Sequence, residues 1–374
     1  MKKKVCILTS VHPVFDVRIF YKQIRTLKEA GYDIILIAQN DKDETMNGIR
    51  IIGLSKPRNR FFRIFKTTWK IFFIAKKQNV GIYHFHDPEL LLAAMFLKIF
   101  TRRKIVYDIH EEIYSGILTK EWLPFFLRKL IAVFYKILEK IAIHFIDQII
   151  LAEDSYLKYY KNKNAIVIRN YPFICYAKNL KNIKNLDPTI IYSGAISENR
   201  GAIEMIEAIN ILKEKHFYIS LNLVGHIQKN FYRKLDNLIN YYGLQKNVFI
   251  NNPVNHPNVY KLINQSWIGL SLLHPDPNFK ESLSTKLFEY MTVGIPSIVS
   301  DFPLLKDIVE ENNCGITVNP KNIEEIIQAI NFLIEHPKEA QKMGENGKKA
   351  VLDKYNWESE SKKLLEIYKK LCVE

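Results

Sequence analysis

The chain has 374 residues, of which 48% are hydrophobic and 25% charged, a composition that excludes disordered, collagen-like and disulfide-scaffold proteins. This length favours two domains, each long enough to bury a core. The net charge of +15 is unevenly placed: residues 1–200 contain 34 Lys and Arg against 18 Asp and Glu, and residues 201–374 contain 20 against 21. The basic half predicts a surface that meets an anionic partner.

The cysteines and the N-terminal residues bear on the compartment and on metal binding. The four cysteines, Cys6, Cys175, Cys314 and Cys372, have no C-x-x-C spacing, so we predict no zinc site and no disulfide framework. The apolar run at residues 5–8 is too short for a signal peptide, and no run of 18 apolar residues occurs. We therefore expect a cytoplasmic protein.

Short apolar runs alternate with helical patterns along the chain, as in parallel sheets that are covered on both faces. A polar segment at residues 177–188 interrupts the alternation and predicts a linker. We therefore predict an α/β protein with two Rossmann-like domains facing across a cleft, at residues 1–176 and 189–355. The predicted strands are residues 5–8, 34–37, 105–107 and 148–151, then 189–193, 219–224, 248–250, 268–273 and 297–299.

Ligands of such sheets bind at the carboxyl ends of the strands, so the motifs found there narrow the chemistry. None of the 14 glycines has another glycine two positions away, which disfavours dinucleotide-dependent dehydrogenases. P-loop, H-E-x-x-H and G-x-S-x-G motifs are also absent from the sequence. A phosphate ligand would therefore need a site of another construction.

Residues 280–296 follow a predicted strand and contain the densest group of candidate binding residues. Ser282 or Ser284 can cap a helix that ends at Gly294, and the N–H groups at the start of such a helix attract phosphate. Lys286 in the first turn adds a positive charge. Taken alone, this lysine is more often an ordinary surface residue.

Two carboxylates in the same segment, Glu281 and Glu289, can accept hydrogen bonds from sugar hydroxyls on either side of that phosphate. With the tail at residues 289–301, their spacing resembles the signature of the family 4 retaining glycosyltransferases, group 1 type, which have the GT-B fold. The resemblance covers nearly the whole chain in the right order. Its other motifs lie at residues 10–20, 84–90, 107–111, 194–201 and 355–357.

The resemblance implies roles for single residues. Glu281 would contact hydroxyls of the transferred sugar and Glu289 the ribose, while His110 would touch the donor sugar near the reacting carbon. Residues 356–374 would form a helix that crosses back onto the first domain. The catalytic residues that we predict are Glu281, His110, Arg200 and Lys286.

Residues 194–201 resemble the diphosphate-binding loop of the family, in which basic residues neutralise the phosphates. Arg200 stands where a lysine is usual, and Ala195 replaces an arginine found in many members. We infer that Lys286 supplies the missing positive charge. The predicted donor-binding residues are Gly194, Arg200, His226, Ser284, Lys286, Leu287 and Glu289.

Four residues at strand ends of the first domain are candidates for the acceptor side, namely His12, Asp16, His86 and Asp87. They have two interpretations, contact with the acceptor or support of the loop structure. Asp87 is also well placed to begin a helix, with Pro88 at its first position.

The function that the resemblance implies is transfer of a sugar, with retention, from a nucleotide-diphosphate donor to a saccharide or lipid-linked saccharide in bacterial cell-envelope polysaccharide synthesis. The only D-x-D sequence is in a polar loop at residues 41–43, so we expect no metal and no cofactor besides the nucleotide sugar. Two alternatives stay open. One is a non-hydrolysing UDP-sugar 2-epimerase, and the other is a non-catalytic sugar-nucleotide-binding subunit.

Two segments of the basic half interleave cations with aromatic residues. Residues 56–77 contain eight Lys and Arg and no acid, and residues 122–129 lead into a long helical pattern. This composition is typical of a helix lying in an anionic membrane surface, on the inner face of the cytoplasmic membrane. It is equally typical of a core-packed helix with a solvated basic face. We expect no nucleic-acid partner, because no recognition motif accompanies the charge.

Overall fold

The computed structural model describes residues 3–118, 123–161, 164–178, 180, 184–215 and 218–373. The chain forms two compact units, residues 1–170 with 359–374 (unit 1) and residues 171–358 (unit 2). The chain leaves unit 1 after Asn170 and returns to it within the last helix, Trp357–Val373. The segment predicted as a linker, residues 177–188, belongs to unit 2, and its residues 179 and 181–183 are outside the described part.

Unit 1 is built on a sheet with eight strands among the described residues, in the order β3-β4-β2-β1-β5-β6-β7-β8. The β3–β4 pair is antiparallel, and the other pairs are parallel. The middle strands are buried along most of their length, as the continuous apolar runs predict. The strands are β1 (Lys4–Pro13), β2 (Asp33–Gln39), β3 (Glu44–Met46), β4 (Ile49–Leu54), β5 (Ile82–Phe85), β6 (Lys104–Ile109), β7 (Gln148–Leu151) and β8 (Ala165–Val167).

Helices connect the strands of unit 1. The first begins as a π-helical stretch, Val17–Ile24, whose N-terminus is capped by Asp16. The basic segment after β4 forms a helical rod at residues 60–76, in which a second π-helical stretch, Arg63–Thr67, joins two α-helices. The α-helices are α1 (Arg25–Glu29), α2 (Arg60–Phe62), α3 (Thr68–Lys76), α4 (Leu91–Thr101), α5 (Ile113–Leu118) and α6 (Phe125–Ala142).

Unit 2 has six parallel strands in its described part, in the order β11-β10-β9-β12-β13-β14. The strands are β9 (Thr189–Ser193), β10 (Ser220–Val224), β11 (Val248–Asn251), β12 (Ile268–Ser271), β13 (Ser297–Ser300) and β14 (Gly315–Val318). The helices are α7 (Ala202–Lys215), α8 (Lys229–Tyr241), α9 (His256–Gln265), α10 (Pro277–Lys280), α11 (Thr285–Val293), α12 (Pro303–Asn312), α13 (Ile323–Glu335) and α14 (Pro337–Asp353).

The predicted fold class, two Rossmann-like α/β units, is confirmed, and each strand predicted from an apolar run is present. The sequence pattern missed several strands. Arg50 and Gly53 interrupt the apolar run of β4, His84 lies in the middle of β5, and β14 begins at Gly315 and is only partly buried. Pairing with neighbouring strands, which a local pattern does not report, makes these segments β.

One apolar stripe in unit 1 faces outward. Phe126, Leu130, Phe134, Ile137 and Ile141 lie on one side of α6, and their exposed fractions run from 51% to 76%. The helix packs inward through its other side, and its outward side carries apolar residues as well as exposed lysines. Trp122 of the second segment lies outside the described residues.

Among the described helices, none is both long enough and apolar enough to cross a lipid bilayer.

Candidate active site

In unit 2, two loops with glycines at their tips meet at the carboxyl end of the sheet. Gly194 follows β9 with φ 133°, and Gly225 follows β10 with φ 156°. A Cβ atom on Gly225 would lie 1.8 Å from the carbonyl oxygen of Gly194, so only glycine allows this approach. The Gly194 N–H donates to the Val224 carbonyl at 2.9 Å, and the Ile196 N–H donates to the His226 carbonyl at 2.8 Å. The backbone of the predicted diphosphate loop is thereby held in place.

Two cations converge on that loop. Lys286 lies in the first turn of α11, is only 6% exposed, and would be 2.8 Å from a Cβ atom on Gly194. Its Nζ lies 5.2 Å from the centre of the Tyr192 ring, and among the described residues it has no ion pair. The guanidinium of Arg200 lies 5.4 Å from the centre of the Phe279 ring. The two residues are 86 positions apart in sequence, and β9 and α11 bring them to one place.

The protonation of Lys286 reflects this arrangement. Burial and, next, the positive charge of Arg200 lower the pKa of Lys286 to about 7, against an opposing contribution from Glu289. Two neighbouring cations with little acidic compensation repel each other, and a bound anion would relieve that repulsion. The site therefore has the electrostatics of an anion-binding site.

The N-terminus of α11 is open to a ligand. Ser284 occupies the capping position, but its hydroxyl makes a 2.9 Å hydrogen bond with the hydroxyl of Ser271 instead of capping a helix N–H group. Gly294 ends the helix with φ 90°, as predicted. Leu287, another predicted donor-binding residue, has a side chain fully buried in the core, and its N–H donates to the Ser284 carbonyl. Its side chain is therefore not available to a donor.

The paired carboxylates lie at the two ends of this region. Glu281 follows α10 and is half-buried, and Glu289 lies on α11 about one turn beyond Thr285. His256, at the start of α9, was not predicted as a site residue, and its Nε2 lies 3.5 Å from a Glu289 carboxylate oxygen. No motif marks this histidine, and only the packing of α9 against α11 brings it to Glu289. His226, a predicted donor-binding residue, exposes its side chain, and its backbone carbonyl accepts the Ile196 N–H.

In unit 1, the predicted acceptor-side residues at the ends of β1 and β5 come together. The His12 Nδ1 lies 3.2 Å from an Asp16 oxygen, and its Nε2 lies 3.5 Å from an Asp87 oxygen. Burial disfavours the charged imidazole, but Asp16, Asp87 and Glu111 outweigh it and raise the pKa of His12. Asp87 also accepts hydrogen bonds from the Thr9 hydroxyl at 2.8 Å and the Ser10 N–H at 2.6 Å. Asp87 thus supports the loop as well as His12.

A second buried group lies beside the first, around Asp108 at the end of β6. Arg18 donates to both oxygens of Asp108, at 2.8 and 2.7 Å, and the Gln23 amide donates at 2.6 Å. His110 Nε2 lies 3.2 Å from Asp108 and 3.1 Å from His86 Nδ1. Sequence analysis named both histidines but not the Arg18–Asp108 pair that holds them, although both residues lie in the quoted motifs.

The histidines continue toward the last helix. His84 stacks on His86 with ring centres 4.6 Å apart, and its Nδ1 lies 2.8 Å from the hydroxyl of Tyr368. Burial, with the charge of His86 next, lowers the pKa of His84, so that imidazole is neutral. Its hydrogen-bond partner comes from the stretch of chain that returns to unit 1.

Three of these residues lie close enough together to be considered as metal ligands. His84, His86 and Asp108 place ligand atoms within 4.8 Å of one another. Asp108, however, is already bound by the buried guanidinium of Arg18 at both oxygens, and a metal ion would lie against that charge. These residues fit a hydrogen-bonded network and do not fit a metal ion.

Each of the two units contains a region that matches a known protein family. Residues 177–350 match the family model for glycosyl transferases group 1, and residues 17–165 match the model for glycosyltransferase family 4. The two models together span most of the chain. The chain therefore belongs to the group 1 glycosyltransferases of family 4.

The individual relatives of the chain share only about a quarter of its residues over the aligned regions. The chain is 26% identical to an alpha-D-kanosaminyltransferase of Streptomyces kanamyceticus over 49% of this chain and 46% of that protein. The chain spans less than half the length of the curated relatives that it matches. Sucrose-phosphate synthase from Thermosynechococcus elongatus has a TM-score of 0.79 at 17% identity, covering 100% of both chains. HepE from Anabaena, solved with UDP and glucose, has a TM-score of 0.74 at 15% identity, covering 98% of this chain and 99% of that one. These neighbours share the GT-B fold.

Proposed function

We propose that the chain is a retaining glycosyltransferase that uses a nucleotide-diphosphate sugar and needs no metal ion. The observation that carries the proposal is the convergence of Arg200 and Lys286 on the Gly194 loop and the open N-terminus of α11. The leaving group of such a transfer is a nucleoside diphosphate, and its developing negative charge needs prearranged cations and N–H groups. The HepE complex with UDP supports a nucleotide of this kind.

Each of the remaining residues has a task in this proposal. Glu281 binds hydroxyls of the transferred sugar and Glu289 those of the ribose, with His256 orienting the Glu289 carboxylate. His110, held by Asp108, contacts the donor sugar. Unit 2 supplies the donor, and unit 1 binds the acceptor near His12. The acceptor hydroxyl is the nucleophile and the leaving phosphate takes its proton, so no side chain has to act as the general base.

Replacing Glu281 by alanine tests the donor site. We expect sugar transfer to fall by about 10²-fold or more, because charge-assisted hydrogen bonds to the transferred sugar are lost, while UDP affinity changes little. Transfer is measured with purified protein and a panel of nucleotide sugars, and UDP binding is measured by calorimetry. Glu311→Ala on α12, an exposed residue of the same unit, is the matched control. Wild-type transfer by Glu281→Ala would remove this residue from the site.

The anomeric configuration of the product tests retention. Proton NMR of the first product formed from an α-linked donor is expected to show an α-linked product. An inverted product would contradict the proposal, and release of a free epimerised nucleotide sugar without acceptor would favour the epimerase alternative. Binding without turnover of any donor would favour the non-catalytic alternative.

We also propose that unit 1 makes peripheral contact with an anionic membrane, where a lipid-linked saccharide of cell-envelope synthesis serves as acceptor. Three lysines of α6, Lys129, Lys136 and Lys140, are exposed beside the outward-facing apolar stripe. The helical rod also exposes Phe61 and Phe65 among its cations. Apolar side chains flanked by lysines fit the interface of an anionic bilayer.

Flotation with phosphatidylglycerol vesicles tests the membrane contact. Each lysine near an anionic surface contributes about 1 kcal/mol, so reversing Lys129, Lys136 and Lys140 to glutamate is expected to weaken binding by about 10²-fold or more. The control reverses three exposed lysines on α14 of unit 2, Lys338, Lys342 and Lys349. Equal flotation of both variants would contradict the assignment of α6.

A further inference from the structure

Unit 1 has a cavity of about 450 Å³ between the segment that follows β4 and the helical rod. Its size lies within the range of small-ligand sites. Four of its lining residues are cations that come from two parts of the chain, and the lining residues that matter here are Lys56, Arg58, Phe62, Lys66 and Lys70. We call this space the cationic cavity.

The charges around the cationic cavity are uncompensated. The sequence has no Asp or Glu between Glu44 and Asp87, so no acid near in sequence can neutralise them. Among the described residues, none of the four cations forms an ion pair, a side-chain hydrogen bond or a cation–π contact. Four like charges around one cavity repel one another, and an anion of charge −2 or more would offset that repulsion.

Nearby cations on the same rod are engaged elsewhere. Arg63 donates to both oxygens of Glu89, at 2.8 and 3.1 Å. Lys76 lies 4.4 Å from the centre of the Phe100 ring. The lack of partners is therefore not a general property of the basic segment.

The cationic cavity lies at the sheet edge that carries the acceptor-side residues. β4, β2 and β1 are adjacent and parallel, so their carboxyl ends share one edge. At about 4.8 Å per strand, the end of β4 is roughly 10 Å from the end of β1. The rod is tied to that end, since Glu89, the partner of Arg63, also accepts a 2.6 Å hydrogen bond from the Ser10 hydroxyl.

We propose that the cationic cavity binds a phosphate or diphosphate group of the acceptor, whose sugar then lies at the loops of His12 and Asp87. This inference rests on the proposed function and adds the class of acceptor, a saccharide that carries a phosphate roughly 10 Å from the accepting hydroxyl. The same chemistry would suit the phosphate headgroup of a bulk membrane lipid. We assign the cavity to the acceptor because it adjoins the strand ends that carry His12 and Asp87.

Binding of inorganic pyrophosphate to the full chain tests the cavity separately from the donor site. We expect two sites in the wild-type chain, of which saturating UDP blocks the one in unit 2. With UDP present, Lys66→Gln combined with Lys70→Gln is expected to weaken pyrophosphate binding by about 10²-fold, since each lost charged hydrogen bond costs about tenfold. Lys338→Gln combined with Lys342→Gln on α14 is the control. All four lysines are exposed, so these variants are expected to fold.

The outcomes separate the two proposals and the two phosphate sources. If UDP blocked no pyrophosphate site in the wild-type chain while the site sensitive to Lys66 and Lys70 were present, only the proposed donor site would be contradicted. Unchanged pyrophosphate binding in the Lys66 and Lys70 variant would overturn the cavity proposal. If that variant instead lost flotation with phosphatidylglycerol vesicles while keeping pyrophosphate binding, the cavity would belong to the membrane surface, and the proposal would also fail.

Discussion

Replacing Lys286 by methionine is expected to weaken UDP binding by about 10- to 100-fold, because a buried cation beside the diphosphate loop is lost without loss of volume. Calorimetric titration with UDP measures the change. Lys342→Met, an exposed lysine on α14, is the control and is expected to bind UDP like the wild type. Unchanged affinity in Lys286→Met would show that the diphosphate does not bind beside this residue.

The pH dependence of UDP binding follows from the same residue. The pKa of Lys286 is lowered to about 7 by burial and by Arg200, and a bound diphosphate would raise it by favouring the charged form. Affinity is therefore expected to be full below about pH 7 and to fall as the pH rises above it, by up to tenfold per unit. At pH 8 binding should take up a proton, measured by calorimetry in buffers of different ionisation enthalpy. The same measurement on Lys286→Met gives the pH dependence that comes from UDP itself, which is then subtracted.

The free chain should show the opposite trend in stability. Between about pH 7 and the ordinary lysine pKa of 10.5, the unfolded chain binds more protons at this residue than the folded chain. The contribution of Lys286 to folding stability without nucleotide therefore becomes more favourable as the pH rises through that window. UDP at low pH should offset the difference by stabilising the protonated side chain.

The second large effect concerns the folding of unit 1. Asp108→Asn is expected to destabilise this unit by about 3–5 kcal/mol, because the buried guanidinium of Arg18 loses its counter-charge. Despite burial, Arg18 and then His110 hold the pKa of Asp108 well below its usual range. The ionised Asp108 carboxylate therefore stabilises unit 1 fully above about pH 4, near the pKa of this carboxyl in the unfolded chain. This stabilisation is lost as the pH falls further.

Scanning calorimetry of Asp108→Asn measures this change, with the transition of unit 2 as an internal reference. The control is Asp33→Asn, whose carboxylate is 61% exposed in its pair with Lys4 and should contribute less than about 1 kcal/mol. Equal melting of the two variants would mean that the Arg18–Asp108 pair is not a major support of unit 1. The double variant Arg18→Met with Asp108→Leu is expected to recover part of the loss.

Much of the fold could be predicted from the sequence, because buried parallel strands need continuous apolar runs. The end of α11 could also be predicted, because its left-handed backbone favours a glycine such as Gly294. The residue types of the site were also accessible from motifs. The resemblance placed Arg200 and Lys286 at one diphosphate, but it did not reveal the pairs His12–Asp87 and Arg18–Asp108, which join distant segments through strand order. The roles themselves remain predictions.

The apolar residues of α6 illustrate a further limit of sequence patterns. An amphipathic pattern shows that a helix has two different sides, but it does not show which side packs inward. In unit 1 the small and aromatic residues Ala132 and Tyr135 face the protein, and the larger stripe with Phe134 is exposed. Only the packing of α4 and α5 against α6 decides this orientation.

The return of the chain to unit 1 has a consequence for biosynthesis. Because unit 2 is inserted between the two stretches of unit 1, a ribosome delivers all of residues 171–358 before the helical residues that complete unit 1. Until then, His84 lacks the Tyr368 hydroxyl that it contacts in the finished protein. Unit 2 can therefore mature on the nascent chain, whereas the histidine cluster reaches its final form only after the last helix has emerged.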